Sequence, residues 1–448
     1  MLSAFTSAFR TPDLRKKLLF TVAIIALYRL GATLPSPGVS YTNVRRCLDA
    51  VSDQDAGGGV LNLLNLFSGG ALLQLSVFAL GIMPYITASI ILQLLTVVIP
   101  RLEQLRKEGQ SGQAKITQYT RYLTLGLAVL QSSAFVALAR TGQLFGNVCD
   151  QSNPQMQIIP ENTGLPMWLT LSILVLTMTA GTGVVMWLGE LITDRGVGNG
   201  MSVLIFASIA ARLPSEGWSI KESSGTGKFL LVVGLVLIII GLVVFIEQAQ
   251  RRIPVQYAKR MIGRRMYGGT STYIPLKVNQ AGVVPVIFGS SLLYLPQLYL
   301  QFFDQNNLKG YQIWIQKWLV DPTSSIYIGV YFILIIFFTY FYVSITFNPT
   351  EVADNMKKYG GFVPGIRPGK PTADYLDFIL SRITLAGALY LAVLSVMPNF
   401  FFIWLNAQQY QNFPFGGVAV LIMVGVGLET VKQIESQLMQ RNYEGFLR

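Results

Sequence analysis

The amino-acid sequence predicts an all-α, polytopic membrane protein with ten transmembrane helices arranged as two inverted pseudo-repeat halves. Apolar residues make up 52% of the 448 residues and charged residues only 12%, which is far more apolar than a soluble domain. Charge-poor runs recur along the chain at lengths suited to a hydrocarbon layer about 30 Å thick. The basic residues collect in alternate segments between these runs, as expected when loops lie on two sides of a membrane.

The apolar runs number ten, and the fifth is the shortest of them. The first run is longer than a cleavable signal peptide requires, and no small-residue cleavage pattern follows it before Pro35. We therefore expect it to remain as a membrane anchor. The ten predicted helices cover residues 18–34, 72–99, 122–139, 167–188, 198–213, 229–246, 280–300, 323–346, 378–397 and 413–431.

The positions of the 34 Lys and Arg residues predict the orientation of the chain. Most of them lie in the N-terminal segment, in every second loop and in the C-terminal segment. By the positive-inside rule, both termini face the cytoplasm and the helices cross the plasma (inner) membrane. Cys47 and Cys149 then fall in outer loops, where a disulfide is chemically permitted. Whether the two thiols pair is left open, because loop position says little about their separation.

An internal repeat relates the second predicted helix to the seventh. With five spans in residues 1–213 and five in 214–448, the two halves cross the membrane in opposite directions, and such inverted repeats place a transport pathway at their interface. A chance recurrence of Gly and Pro is the alternative, since both are common in membrane helices. At one constant spacing, Gly81, Pro84, Ile86, Ser89 and Leu94 recur as Gly282, Pro285, Ile287, Ser290 and Leu295.

The stretch from Val60 to Gln93 combines a short apolar run with a broken helix. As a helix, Val60–Ser68 would be about 14 Å long, too short to cross a bilayer, and glycines on both sides give it freedom to move. In the kinked helix that follows, Ile82 and Ile86 stand one turn apart. Such aliphatic groups pack in most cores, but in a narrow pore they resist water and ions by dewetting.

Several classes of function are excluded by residues that the sequence lacks. It contains no histidine, which excludes histidine-dependent catalysis, HExxH zinc sites and histidine proton relays. No phosphate-binding loop pattern is present, because Gly227-Lys228 and Gly369-Lys370 lack the required spacing and the Ser or Thr. Charged groups are nearly absent from the spans, where ion-coupled transporters usually carry them. We expect no enzymatic activity and no cofactor, and any energy must come from a partner.

Two long loops on the predicted cytoplasmic side are basic. The first, residues 247–277, carries seven Lys or Arg residues interleaved with three tyrosines. The second, residues 348–375, contains GGFVPGIRPGKPT, whose glycines and prolines indicate a shaped loop. Loops of this kind suit phosphate backbones or acidic protein surfaces. The alternative is that they are solvated loops whose charge only sets the topology.

Motifs spread over nearly the whole chain resemble the SecY family, the channel subunit of the bacterial Sec protein translocase. The resemblance implies an hourglass channel between two five-helix halves, through which secretory polypeptides cross the membrane and from which membrane segments leave sideways into lipid. The motifs are NLFSGGAL, FALGIMPYITASIILQLL, EGQSGQAKITQYTRY, WLGELITDRGVGNGMS, QRRIPVQYAKR, PLKVNQAGVVP and FNPTEVADNMKKYGGFVPGIRPG.

The resemblance also implies roles for individual residues. The family's pore ring maps onto Ile82, Ile86, Met201, Ile205, Ile287 and Ile422, where Met201 is a mild departure from isoleucine. Thr87 and Leu295 map onto the lateral gate. Arg264, Arg265 and Arg367 map onto docking sites for the ribosome and for the motor ATPase SecA. The plug maps onto Leu61, Asn62, Leu63, Leu64, Asn65, Leu66, Phe67, Ser68, Gly69 and Gly70, ending near Ala71.

The implied membrane partners are SecE and SecG, and the implied cargo is signal peptides and unfolded polypeptide, with lipid at the lateral gate. Two other classes remain as alternatives. A secondary transporter or lipid flippase with inverted repeats would need a polar or charged site in mid-membrane, which the sequence lacks. A scaffold that only recruits ribosomes through its basic loops would leave the apolar kinks unexplained.

Overall fold

The chain forms two compact units, each described here by itself. The first comprises Met1–Leu231, Asn406–Phe415 and Val426–Arg448, and the second Val232–Leu405 and Gly416–Gly425. The division at residues 213 and 214 that the apolar runs suggest stays a prediction. The computed structural model describes residues 9, 11–53, 68–141, 157–160, 166–257, 260–262, 265–267, 271–301, 309–321, 324–404 and 417–444.

The first unit is built from helices. Its core lies where α5 and α6 pack together and against the irregular segment before α3. The helices are α1 (Pro12–Thr33), α2 (Tyr41–Asp53), α3 (Met83–Val98), α4 (Pro100–Lys107), α5 (Gln110–Thr141), α6 (Met167–Arg195), the first part of α7 (Gly200–Gln248) and the last part of a C-terminal helix (Gly417–Glu444).

The second predicted span is helical only in its later part. Residues 68–82 form a succession of turns, and α3 begins at Met83. Two residues force this start. Gly81 has a φ of 55°, in the left-handed region that ends regular structure, and Pro84 lacks the N–H that an interior helical position needs, so it lies in the first turn.

The fifth and sixth predicted spans form one continuous element, α7. Two helices meet within it at Gly225, whose φ of 81° and ψ of 165° are not helical. Every predicted span thus has a helical counterpart, and the all-α prediction is confirmed. Five of the described helices are long and apolar enough to cross a membrane, or six if α3 and α4, which meet at a 98° bend, are counted as one broken span.

Cys47 is fully buried in the first unit and takes part in a disulfide bond. It packs in the same cluster as Leu72, Leu75 and Ala139. Its partner lies outside the described residues. The structure therefore favours the disulfide over the free thiol for Cys47, and it places that bond beside the turns that precede α3.

The second unit combines helices with a small sheet. Its helix α10 packs against both α8 and α12. Besides the later part of α7, the helical elements are α8 (Val284–Gln301), α9 (Gly310–Ile315), a π-helical turn (Gln316–Val320), α10 (Ser325–Thr346), α11 (Pro349–Lys358), α12 (Lys370–Trp404) and the first part of α13 (Gly417–Glu444).

The sheet joins the two basic loops. Strand β1 (Gln250–Tyr257) pairs antiparallel with β4 (Ser271–Lys277) on one edge and with β5 (Gly361–Phe362) on the other. A separate hairpin is formed by β2 (Arg260–Ile262) and β3 (Arg265–Tyr267). Both loops were expected to be irregular, so these strands are additions to the predicted all-helical fold.

Candidate functional site

The two kinked helices of the repeat begin in the same way. Gly81 and Gly282 have φ angles of 55° and 60°. Helices α3 and α8 each start two residues after that glycine, with proline as the second helical residue. The first turns also match, because the amide of Tyr85 donates to the carbonyl of Ile82 at 3.1 Å and that of Val286 to Val283 at 3.2 Å. The repeat read from the sequence is thus a repeat of backbone conformation.

Four predicted pore residues belong to the first unit. Ile82, the residue that precedes α3, is 2% exposed, and Ile86 is half-buried one turn later. Met201 and Ile205 occupy the first two turns of α7 and are 8% and 7% exposed. Their helix start is fixed by Asn199, whose side-chain oxygen accepts from the amide of Met201 at 3.1 Å.

Met201 also has a packing role. A Cβ built on Gly189 of α6 would lie 2.4 Å from the sulfur of Met201. Since real Cβ atoms do not come this close, only glycine fits at 189 while Met201 occupies its present position. The flexible thioether thus fills a space against α6, which is a structural reason for methionine here that the sequence alone did not reveal.

The other two predicted pore residues belong to the second unit. Ile287 lies in the first turn of α8 and is 7% exposed, and Ile422 lies in α13 and is 1% exposed. The residues of each unit are therefore apolar, largely buried and close to a helix start or within a helix. That all six form one ring stays a prediction.

Only the end of the predicted plug is described, because Leu61–Phe67 lie outside the described residues. Ser68, Gly69 and Gly70 form a turn, with φ angles of 68° and 92° at the two glycines. The hydroxyl of Ser68 accepts from the amide of Leu72 at 3.1 Å. On the other side, the guanidinium of Arg29 donates to the carbonyl of Gly69 at 3.2 Å.

The two lateral-gate candidates lie on α3 and α8. Thr87 is half-buried, and its hydroxyl donates to the carbonyl of Met83 at 3.0 Å. Because this bond stays within its own helix, Thr87 presents a largely apolar side chain. Leu295 lies in α8 next to Pro296, but its side chain lies outside the described residues.

The docking candidates are carried by the two basic loops that the sheet joins. Arg367 is exposed in the segment after β5, where its carbonyl accepts from the Thr372 hydroxyl at 2.8 Å. Arg265 lies in β3, and Arg264 lies outside the described residues. Arg252, whose guanidinium lies 4.8 Å from the ring centre of Tyr273, adds an exposed cation on the sheet itself.

The sheet has its own apolar core, which anchors these cations. Ile253 and Val255 of β1 point inward and pack with Leu276, Met356 and Val363. The alternation of buried and exposed residues in QRRIPVQY is the period of a half-buried strand. That pattern was a usable signal for a strand in a segment otherwise dominated by charge.

An ion pair between α5 and α6 was not predicted. The guanidinium of Arg121 donates to both carboxylate oxygens of Glu190, at 2.8 and 2.9 Å. This two-point contact is the strong geometry for Arg and a carboxylate. Each residue was assigned to the cytoplasmic side from the charge pattern, but residues so distant in sequence give no sign that they pair.

The fold and these sites define a class: a polytopic helical membrane protein whose repeated, kinked helices carry buried aliphatic residues. The SecY family model matches residues 76–431. The chain is 64% identical to "Protein translocase subunit SecY" of Streptomyces scabiei and 62% identical to that of Mycobacterium bovis, each over 100% of both chains. The chain therefore belongs to the SecY family.

Solved structures share the fold. One titled "The structure of a protein conducting channel" superposes with a TM-score of 0.61 at 18% identity, covering 94% of this chain and 91% of that one. Another, "Sec61 in the Canine ribosome-channel complex from the endoplasmic reticulum", has a TM-score of 0.58 at 17% identity, covering 94% and 91%. At these identities the likeness concerns the fold.

Proposed function

We propose that this chain is the protein-conducting channel through which unfolded secretory polypeptides cross the plasma membrane and from which membrane segments pass sideways into lipid. Both termini face the cytoplasm in this proposal. The observation that carries it is the family match over residues 76–431, which includes the two equivalent kinked helices, α3 and α8. Full-length relatives named as translocase subunits support the same function.

The proposed seal is an aliphatic ring. Its members are apolar, and a narrow aliphatic constriction excludes water without offering a binding site to the passing chain. This suits cargo of varied sequence. Support comes from their burial in each unit and from their places beside the kinks. The ring comprises Ile82, Ile86, Met201, Ile205, Ile287 and Ile422.

The proposed plug is Leu61–Gly70, and the proposed lateral gate lies at Thr87 and Leu295. Glycines at both ends of the short apolar run favour a hinged segment, and Ser68–Gly70 is a turn with left-handed glycines. A related protein's structure is titled for a plug domain that stabilises the closed state of the translocation channel, which supports the assignment.

The proposed docking surface for SecA and the ribosome consists of the two basic loops, with Arg264, Arg265 and Arg367 as its main cations. The β1–β4–β5 sheet supports it, since a shared sheet lets the two loops act as one surface. The fold likeness to a channel solved in a ribosome complex supports a ribosomal partner. SecE and SecG are the proposed membrane partners, as the family membership implies.

The proposal is tested by reconstitution. The chain is placed in vesicles with SecE and SecG, and SecA, ATP and an unfolded precursor are added outside. Protease-protected precursor that depends on ATP is the expected result. Precursor that stays fully digestible, together with saturable uptake of a small solute, would favour the transporter alternative. Ribosome binding without any protected precursor would favour the scaffold.

A further inference from the structure

Arg29 is a cation inside the first predicted span. A charged side chain within a span is costly, so it usually has a polar partner and a function. Arg29 lies in the last two turns of α1 and is half-buried. Its guanidinium Nη1 donates to the carbonyl oxygen of Gly69 at 3.2 Å. The charge is thus directed at the turn that ends the proposed plug.

That turn fits closely between two helices. A Cβ built on Gly69 would lie 2.8 Å from Nη1 of Arg29 and 3.3 Å from the Cα of Ser208 in α7. The backbone of Gly69 is also left-handed, with a φ of 68°. Both the space and the conformation therefore require glycine, and the turn is held between α1 and α7.

The neighbouring residue strengthens the same junction. Tyr28 is 1% exposed, and its hydroxyl lies 2.9 Å from that of Ser208. A Cβ on Gly81 would lie 3.3 Å from the Cα of Ser68 and 3.6 Å from the Tyr28 hydroxyl. Tyr28 thus fixes α1 against α7, and the glycine that starts the kinked helix lies against the turn.

We propose that Arg29 is a positioning residue that holds the Ser68–Gly70 turn against α1 and so keeps the channel closed at rest. The inference rests on the proposed function, because the turn connects the proposed plug to the helix of Ile82. A hydrogen bond from a charged donor to a carbonyl is about twice as strong as a neutral one. Its loss releases the turn, while Tyr28 and Ser208 keep the two helices together.

The direct test measures access to the turn. Ser68 is 1% exposed, so in an otherwise unchanged chain a Ser68→Cys substitution should react slowly with a membrane-impermeant maleimide. Adding Arg29→Gln should raise the rate on the order of tenfold, the effect expected for one hydrogen bond from a charged group. Adding Arg29→Lys should restore slow labelling in large part, because lysine keeps the charge and a donor.

A buried cysteine at Met178, which is 0% exposed in the same unit, is the control for general loosening. Its labelling should not change with Arg29→Gln. Equal acceleration at both positions would overturn the proposal, since Arg29 would then stabilise the whole unit. Unchanged labelling at Ser68, or an Arg29→Lys variant as reactive as Arg29→Gln, would also overturn it.

Resting ion conductance separates this inference from the plug assignment. A deletion of Leu61–Phe67 should leak if that segment is the plug, and Arg29→Gln should leak less than the deletion but more than the unchanged chain. A leaking deletion beside a tight Arg29→Gln variant would refute the role of Arg29 alone. A tight deletion would refute the plug, and the labelling at Ser68 would still decide whether Arg29 holds the turn.

Discussion

Gly31 shows how tightly single residues determine the packing of the first unit. A Cβ at this position of α1 would lie 2.1 Å from the ring of Phe78. That ring cannot move away easily, because it is 8% exposed and stacks on Tyr28 with ring centres 6.0 Å apart. The contact fixes the turns before α3 onto α1.

We therefore expect Gly31→Val to destabilise the protein by about 1–3 kcal/mol, the usual cost of overfilling a packed site. The measurement is the temperature at which the purified protein in detergent loses its monomeric state. Gly126→Val in α5 is the matched control, since nothing lies within 4 Å of a Cβ there. Equal effects of the two substitutions would show that the Phe78 contact is unimportant.

At Ile82 we expect a polar substitution to make the resting channel leak. An Ile82→Asn side chain offers hydrogen bonds to water where the aliphatic one repels it, so the barrier from dewetting falls. The measurement is ion conductance of the reconstituted channel without cargo. Leu237→Asn on α7, where the leucine is 63% exposed, should leave conductance unchanged. A tight Ile82→Asn channel would remove this residue from the seal.

Residue-scale prediction succeeded where the physical cause is local. Gly81 and Pro84 act on their own backbone, and the sequence predicted a break at that point, which the φ of Gly81 and the start of α3 confirm. The partner of Arg29 could not be predicted in this way. Its acceptor is a backbone carbonyl 40 positions away, and the sequence carries no signal for which carbonyl a long side chain will reach.

Among the elements, the helices followed from apolar run length, but the sheet did not. The runs predicted a helix for each span because a bilayer sets one length for all of them. The strands of the basic loops are short, and β5 has only two residues. Their pairing links segments about a hundred residues apart, which no local pattern specifies. Only the alternation around Ile253 and Val255 indicated a strand.

We expect Arg367→Glu to block secretion while the protein still folds and inserts. The exposed cation lies in the loop that the sheet joins to β1, so reversing its charge repels acidic groups of a docking partner. The measurement is SecA-dependent translocation into vesicles, with protein amount checked by immunoblot. Lys309→Glu, an exposed cation in a predicted outer loop, should secrete normally. Normal secretion by Arg367→Glu would remove that residue from the docking surface.

For the whole molecule, the arrangement of charge was more informative than any single motif. Charged residues make up 12% of the chain, and the basic ones mark alternate loops, which predicts sidedness. The repeat predicted two related halves, and α3 and α8 begin with the same backbone conformation. Composition and repeat together indicated a pathway, but polypeptide as its cargo required the family resemblance.

The central claim is that a polypeptide passes along the aliphatic residues beside the kinks. A photo-crosslinking amino acid at Ile86 or Ile287, tested with a precursor stalled during translocation, addresses it most directly. The account predicts adducts with the stalled chain at both positions, dependent on ATP and SecA. The same probe at Phe337, which is 59% exposed on α10, should give none. Adducts at Phe337 but not at the two isoleucines would contradict the account.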